Sequence, residues 1–491
     1  MPLFLVGISP DQAIKSRRTR QRFLRRLIRN LRDALDAAGA EHAIENHWSR
    51  LAVDTSDAGA PDRIARVFGV GSVAQVDARI PATLDGIVTE GERLYADRIR
   101  GHRFAVRARR ARGTTYPFTS QDIAVELGAV LNRYGPVDLD DPEVTVHVEV
   151  REGEAWLYGD RTPGIGGLPL GVEGRAVSLL SGGFDSPVAA WMMMKRGIAV
   201  DYVFCNLGGE AYERLVLSVA KILADAWSFG ERPRMHVVPF DAVLAELRKQ
   251  VRPRYWQVVL KRLMYRTAGL VAERTGAKAI VTGEAVGQVS SQTLGNLRAI
   301  DPAAPLPVLR PLLGLDKQEI IDRAHDVGTA VLSARIREYC ALGAERPVTD
   351  ASVQAVDREE ARLDLAMLET AVHARKVVDL RSLTAQDLVQ PYLFARDIPD
   401  GAVVLDCRGP HQFAAWHYPG ATRYDLGDLA AQFKRLDKAQ RYILYCAFGV
   451  QTAHVAELMQ REGYEAYSFE GGAGALRSHA EARGPTVPVA G

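Results

Sequence analysis

The sequence predicts a multidomain α/β protein, and three observations carry that reading. At 491 residues the chain exceeds one ordinary hydrophobic core, and about three domains are expected. From 175 to 332, strand-like and helix-like segments alternate, the pattern of a doubly wound parallel sheet. Within it, the apolar run 176–180 enters Ser181-Gly182-Gly183-Phe184-Asp185-Ser186 and then an apolar helix with Pro187 near its start. A net charge of +2 excludes a polyanion-binding signal from overall balance, so any such signal must come from local clustering. There is no run of eighteen apolar residues, so no membrane-spanning helix is expected. Residues 1–7 are apolar without a basic leader or cleavage site and read as a strand. Cys205, Cys340, Cys407 and Cys446 lie far apart and form no C-x-x-C pair. That argues against structural zinc, a cysteine-held cluster or a secreted disulfide framework, and for a cytoplasmic protein with isolated thiols.

In chain order, 3–8 read as a strand. Residues 15–32 then carry nine basic side chains and no acidic one, among them Arg25, Arg26 and Arg29. Phe23, Leu24, Leu27, Ile28, Leu31 and Leu35 recur at helical spacing, giving an amphipathic helix with a basic outer face. Like charges at that density repel, and an RNA or DNA backbone would relieve the repulsion. Strands at 43–45 and 50–53 and a helix at 61–68 complete a small α/β module. A second basic cluster, 98–112, alternates Phe104, Val106 and Ala108 with Arg103, Arg107 and Arg109, with Arg110 following. This is a strand with one apolar and one basic face. Ser120-Gln121-Asp122 is expected to cap a helix reaching Leu131. Residues 144–150 and 155–158 read as a hairpin, and the glycine-rich 164–171 as a linker. Two basic elements thus precede the glycine-rich turn, a nucleic-acid platform that reads backbone charge.

Strand, turn and helix at 176–196 form a phosphate cradle: amides converge on the turn, and the helix dipole favours an anion. Gly182 and Gly183 let the backbone approach a phosphate closely. The turn lacks the Lys-Ser/Thr ending of a Walker loop, so hydroxyls, amides and a metal-bridged carboxylate would hold the ligand. Further strands are expected at 200–204, 235–239 and 279–283. The polar run 283–297 suits an active-site loop at a strand C-terminus. Residues 351–376 read as helix and 380–399 as a connection to a last domain. There, the strand 442–445 runs into Cys446-Ala447-Phe448-Gly449-Val450-Gln451-Thr452 and a helix. A cysteine between a strand and a helix N-terminus is placed to be a thiolate or a persulfide anion. Cys205 and Cys407 read as core residues.

The motif S-G-G-F-D-S at 181–186 resembles the PP-loop of the ATP pyrophosphatases. The segment 103–131 resembles a THUMP domain, and the run before it a ferredoxin-like domain. D-x-R at 406–408, H-x-P-G-A at 417–421 and C-x-x-G-x-x-T at 446–452 resemble the rhodanese domain. Together with 282–297 and Glu338-Tyr339-Cys340, this order resembles the tRNA 4-thiouridine synthetases of the ThiI type over essentially the whole chain. The resemblance implies a ferredoxin-like domain at 1–60, THUMP at 61–165, a PP-loop domain at 175–340, a helical connector at 341–396 and a rhodanese-like domain at 397–485. It implies ATP contacts at Leu179, Leu180, Ser181, Gly182, Gly183, Ser186, Lys261, Gly283 and Gln292. Asp185 would act through Mg²⁺, and Lys317 would serve adenylation. It implies a persulfide on Cys446 and Cys340 as its disulfide partner, while the two basic elements themselves place the expected RNA contacts at Arg25, Arg26, Arg29, Arg103, Arg107, Arg109 and Arg110. The partners implied are tRNA and a cysteine desulfurase, with the thiamin sulfur-carrier protein and a homodimer left open. Nucleotide-activated amidation with a passive last domain, and RNA binding with a vestigial loop, stand as the rival readings.

Overall fold

The computed structural model describes residues 1–47, 50–110, 116–207, 209–334, 347–388, 393–447 and 449–483. Its contacts divide it into two units, Met1–Gly167 and Leu168–Gly491.

The first unit is built on one eight-stranded sheet. Its order is His42–His47, Arg50–Thr55, Leu3–Ile8, Val70–Pro81, Glu154–Tyr158, Val144–Arg151 and Phe104–Arg110, with Thr162–Pro163 also paired to Val70–Pro81. The twelve-residue strand Val70–Pro81 joins two halves. It pairs with Leu3–Ile8 through Val70 to Gln75 and with Glu154–Tyr158 from Val76 onward. A register shift between Val76 and Ala78 marks the change of partner. The basic helix forms at Arg17–Asp36, burying Phe23, Leu24, Leu27, Leu31 and Leu35 and leaving Arg25 and Arg29 exposed. Over the other half lie the helices Leu84–Ile99 and Ser120–Leu131. They pack so closely that a Cβ on Gly91 would meet Leu127 Cδ1 at 2.6 Å. The cap of the second is Thr119, not Ser120: Thr119 and Asp122 exchange hydrogen bonds in a capping box. The helix expected over 61–68 spans Ala60–Ala65.

The second unit contains two sheets. The larger runs Val308–Leu309, Ile280–Val281, Arg175–Leu179, Ala199–Asn206, Arg234–Pro239 and Lys376–Asp379. Five strands are parallel, and the chain moves outward from Arg175–Leu179 on one side before returning to the other. The switch point therefore lies where the turn at 180–186 meets the segment after Ile280–Val281. The smaller sheet is parallel throughout: Phe394–Ala395, Glu465–Phe469, Arg441–Tyr445, Val403–Asp406 and Thr422–Arg423.

The continuous helix expected over 351–376 is not observed. Two helices, Val353–Glu360 and Ala366–His373, are followed by the strand Lys376–Asp379, antiparallel to Arg234–Pro239. The strand is four residues long and its partner is over 130 residues distant, so local pattern alone does not reveal it. The first helix is tied down by charge. Buried Glu360 receives Arg262 Nη2 at 2.6 Å and Arg266 Nη2 at 2.9 Å, and fully buried Glu359 receives Arg252 at 2.7 Å. Arg262 also donates to the Ala299 carbonyl. Among the described residues, no helix is long and apolar enough to cross a membrane.

Replacing Glu360 with Ala removes the buried carboxylate that Arg262 and Arg266 share, leaving the buried Arg262 guanidinium with only half-exposed Asp357 and the Ala299 carbonyl. It should lower the unfolding free energy of this unit by about 3–5 kcal/mol, read as a lower urea midpoint. Burial works against the charge of Glu359 and Glu360, but their arginine partners outweigh it and hold both carboxyls below the ordinary value of 4.5. This stability is therefore present above pH 4.5 and should be lost as pH falls through the folded-state values. Denaturation curves across that range check the sign.

Candidate nucleotide site and sulfur-bearing loop

At the switch point the strand ends open into a cavity of about 490 Å³. Its floor is the turn after Arg175–Leu179. Ser186 closes that turn, its Oγ accepting from Ser181 N at 3.0 Å and lying 3.2 Å from Ser181 Oγ. The helix Asp185–Lys195 starts there, so its free amides and positive dipole end face the turn. Gly182 adopts a φ of 82°, a left-handed conformation that favours glycine. Gly283 has a steric task. A Cβ on it would lie 2.6 Å from Ser186 N and 2.7 Å from the Asp185 carbonyl carbon.

Of the residues expected at a nucleotide, Leu179, Leu180, Ser181, Gly183, Ser186, Lys261, Gly283 and Gln292 line this cavity, as does Asp185. Gly182 shapes the turn without being part of the lining. Lys317 stands at the N-terminus of the helix Lys317–Val327, and its Nζ lies 2.8 Å from Asp185 Oδ1. Gln288 Nε2 donates to Asp185 Oδ2 at 2.9 Å, so both carboxylate oxygens have partners. Lys261 is held from behind by buried Glu284, 3.8 Å away. Glu284 also receives Thr282 Oγ1 at 3.1 Å, Arg310 Nε at 2.8 Å and the Tyr265 hydroxyl. Burial opposes its charge, yet Lys261, Tyr265 and Arg310 together keep the carboxyl below its ordinary value. The cavity thus has a cationic rim anchored by a buried anion.

Sequence reasoning missed the opposite wall. Phe204, Leu207, Leu260 and Met264 make it apolar, suited to a flat aromatic ring. Tyr212 also lines the cavity, and its hydroxyl donates to the Ser181 carbonyl at 2.9 Å. These residues come from a strand end and two helices with no motif. Their helical or strand spacing reads as core, and only the sheet's order turns them toward the turn. Cys205 is buried as expected, and it too reaches the cavity wall.

In the smaller sheet, Cys446 follows Arg441–Tyr445 and precedes the helix Val450–Arg461. Its sulfur accepts from Gly449 N at 3.3 Å and from Thr452 Oγ1 at 3.4 Å, a nest for negative charge. Thr452 Oγ1 lies 2.8 Å from Ser468 Oγ, which fixes its orientation. Gly472 packs against this loop: a Cβ there would meet the Cys446 and Ala447 carbonyl oxygens at 2.7 Å. The D-x-R pair supports the strand ends. Arg408 bonds both oxygens of fully buried Asp406, which also receives the Tyr445 hydroxyl at 2.6 Å. The short helix Ala330–Ser333 touches both sites. Ser333 Oγ donates to the Gly183 carbonyl at 3.3 Å, and Val331 packs into the core that contains Cys446. Glu338, Tyr339 and Cys340 lie outside the described residues.

The basic candidates differ among themselves. Arg25 and Arg29 are exposed and Arg26 half-buried. Arg103 is matched within its own unit by Asp138 at 3.2 Å, Asp141 at 3.1 Å and Glu143 at 3.6 Å. Arg107 and Arg110 donate to the carbonyls of Leu139 and Phe118. Arg109 is exposed and belongs to a cluster the sequence did not show. Burial and then Arg161, Arg109, Arg107 and Arg50 push His147 down to about 4. His147 stacks on Tyr158 with centroids 5.0 Å apart.

Four family models match the chain: "Thiamine biosynthesis protein (ThiI)" over 171–365, "Rhodanese-like domain" over 391–479, "THUMP domain" over 81–160 and "ThiI ferredoxin-like domain" over 11–74. The chain is 38% identical to a tRNA sulfurtransferase of Pyrobaculum aerophilum, covering 94% of this chain and 95% of that one. It is 35% identical to a tRNA sulfurtransferase of Pectobacterium atrosepticum, covering 94% and 98%. Its fold is similar to the crystal structure of a 4-thiouridine synthetase–RNA complex with bound ATP, with a TM-score of 0.68 and 30% identity over 77% of this chain and 99% of that one. The arrangement expected from sequence, a PP-loop unit preceded by ferredoxin-like and THUMP modules and followed by a rhodanese-like sheet, is thus met in both fold and relatives, and the chain belongs to the ThiI family of tRNA sulfurtransferases.

Proposed function

We propose that this protein uses ATP to replace O4 of uridine 8 in tRNA with sulfur, giving 4-thiouridine. The observation that carries this reading is the cavity at the switch point. It joins an anion-binding turn and a cationic rim to an apolar wall, the three surfaces ATP requires. The amides and hydroxyls of 181–186 would bind the phosphates, and Lys261 and Lys317 would offset their charge. Asp185 is the carboxylate that would hold Mg²⁺ arriving with the nucleotide. Bound there, the ion would supply charge neutralisation. Uridine O4 would attack the α-phosphorus, the α–β bridging bond would break, and pyrophosphate would leave.

Adenylation makes O4 part of a good leaving group, AMP. The sulfur would come from a cysteine desulfurase as a persulfide on Cys446, where the Gly449 amide and the Thr452 hydroxyl stabilise an anion. The terminal sulfur would attack C4 and AMP would depart. Cys340 would then attack Cys446 Sγ, break the S–S bond, leave the sulfur on C4 and form a disulfide reset by external dithiol. The family model's description as a thiamine biosynthesis protein favours a second acceptor for the same persulfide, the thiamin sulfur-carrier protein. In this reading the domains divide the work: 1–60 and 61–165 hold tRNA, 175–340 activates, 341–396 connects and 397–485 carries sulfur.

Cys446→Ala should abolish 4-thiouridine in nucleoside analysis while tRNA-dependent pyrophosphate release persists; full thiolation by this variant would sink the sulfur route. Gly283→Ala forces a Cβ against Ser186 N and should weaken ATP binding at least about tenfold, roughly 1.4 kcal/mol. Calorimetric titration with a non-hydrolysable ATP analogue reads that loss. Reversing charge at Arg25, Arg26 and Arg29 should weaken tRNA binding and reduce the slope of log affinity against log salt by about two to three. An unchanged slope would remove that helix from the interface.

A further inference from the structure

The strands Val403–Asp406 and Arg441–Tyr445 are parallel neighbours with Val403 opposite Tyr442, Leu405 opposite Leu444 and Asp406 opposite Tyr445. One step further along this register, Cys407 falls opposite Cys446. The ladder continues that far, because Cys407 N donates to the Tyr445 carbonyl at 2.8 Å, the bond a parallel pair makes when residue 407 faces residue 446. The faces agree as well. Leu405, Cys407, Tyr442, Leu444 and Cys446 share one core, while Val404, Ile443 and Tyr445 point into another on the opposite side. Both cysteines are buried free thiols. Neighbouring strands run about 4.8 Å apart, which is inside the span of roughly 4.4–6.8 Å between Cα atoms that a disulfide bridges.

From this juxtaposition we infer that Cys407 is the resolving thiol of an in-domain disulfide with Cys446, formed when a peroxide oxidises Cys446. The electrons balance in two steps. The Cys446 thiol gives up two electrons to hydrogen peroxide, becoming a sulfenic acid, and one water leaves. The Cys407 sulfur then attacks the sulfenic sulfur, the S–O bond breaks, a second water leaves, and the disulfide forms. A dithiol returns both residues to thiols, itself becoming a disulfide.

The two cysteines have different surroundings. The Cys446 sulfur accepts hydrogen bonds from the Gly449 amide and the Thr452 hydroxyl. Burial, then the neighbouring Cys446, Asp406 and Asp425, push the Cys407 thiol well above its ordinary value. When Cys407 attacks, its thiol proton leaves with the departing hydroxide as the second water. The disulfide would spare Cys446 from irreversible oxidation and suspend sulfur carriage until a reductant is present. This goes beyond the proposed thiolation and does not depend on it.

The test uses the full chain with Cys205→Ser and Cys340→Ser, so that only two thiols remain. One equivalent of hydrogen peroxide should remove the mass of two hydrogen atoms, yield a peptide linked through Cys407 and Cys446, and be reversed by dithiothreitol. With Cys407→Ala added and two or more equivalents of peroxide supplied, Cys446 should instead gain two oxygen atoms irreversibly. Two alkylatable thiols after peroxide, or Cys446 gaining oxygen equally fast with Cys407 present, would overturn the inference. The crosslink readout needs no tRNA and no desulfurase, so it stands or falls apart from thiolation, and it remains decisive if the alanine variant does not fold.

Discussion

The catalytic unit depends on how closely two strand ends approach each other. At the switch point, the backbone of Gly283 lies against the first turn of the helix Asp185–Lys195, with no room for a Cβ. That contact locks the segment after Ile280–Val281 to the turn at 181–186. Everything else at the site is referred to it. Asp185 can meet both Gln288 and Lys317 only because the loop and the helix Lys317–Val327 are brought to the same strand ends. Close backbone packing is stiff, since a single methyl group would have to displace main chain rather than a side-chain tip.

Charge then does what packing cannot. Glu284 is almost fully buried, and its negative charge is compensated by Arg310 and oriented hydroxyls on one side and Lys261 on the other. Lys261 therefore reaches the cavity from a fixed direction. The same device recurs in the smaller sheet, where Asp406 is held by Arg408 and Tyr445 at the strand ends that carry Cys407 and Cys446. In both places a buried carboxylate organises a strand terminus. The helix Ala330–Ser333 links the two, bonding the turn through Ser333 and packing beside the sulfur-bearing core through Val331.

Much of this was legible locally. The glycine-rich turn, the basic helix, the hairpin at 144–158 and the Cys446 loop each follow from short-range rules: periodicity, capping, glycine and helix-terminus electrostatics. Other parts were not legible, for identifiable reasons. Phe204, Leu260 and Met264 carry the same signature as core residues. The strand Lys376–Asp379 is short and follows two helices, so its pairing rests on an edge left open by Arg234–Pro239. Arg103 reads as one more exposed cation until Asp138, Asp141 and Glu143 fold around it.

By itself, then, the sequence determined the glycine-rich turn and the cysteine ahead of a helix start, each written within a dozen contiguous residues, and the order of modules, written in the succession of such motifs. The tertiary structure decided which distant side chains share a site: the apolar wall of the cavity, the Lys317–Asp185 pair, the buried support of Lys261, and the facing of Cys407 with Cys446. The reason is sheet order and register. A parallel sheet places residues separated by tens to hundreds of positions about 4.8 Å apart, and no local pattern in the chain encodes which strands will be neighbours.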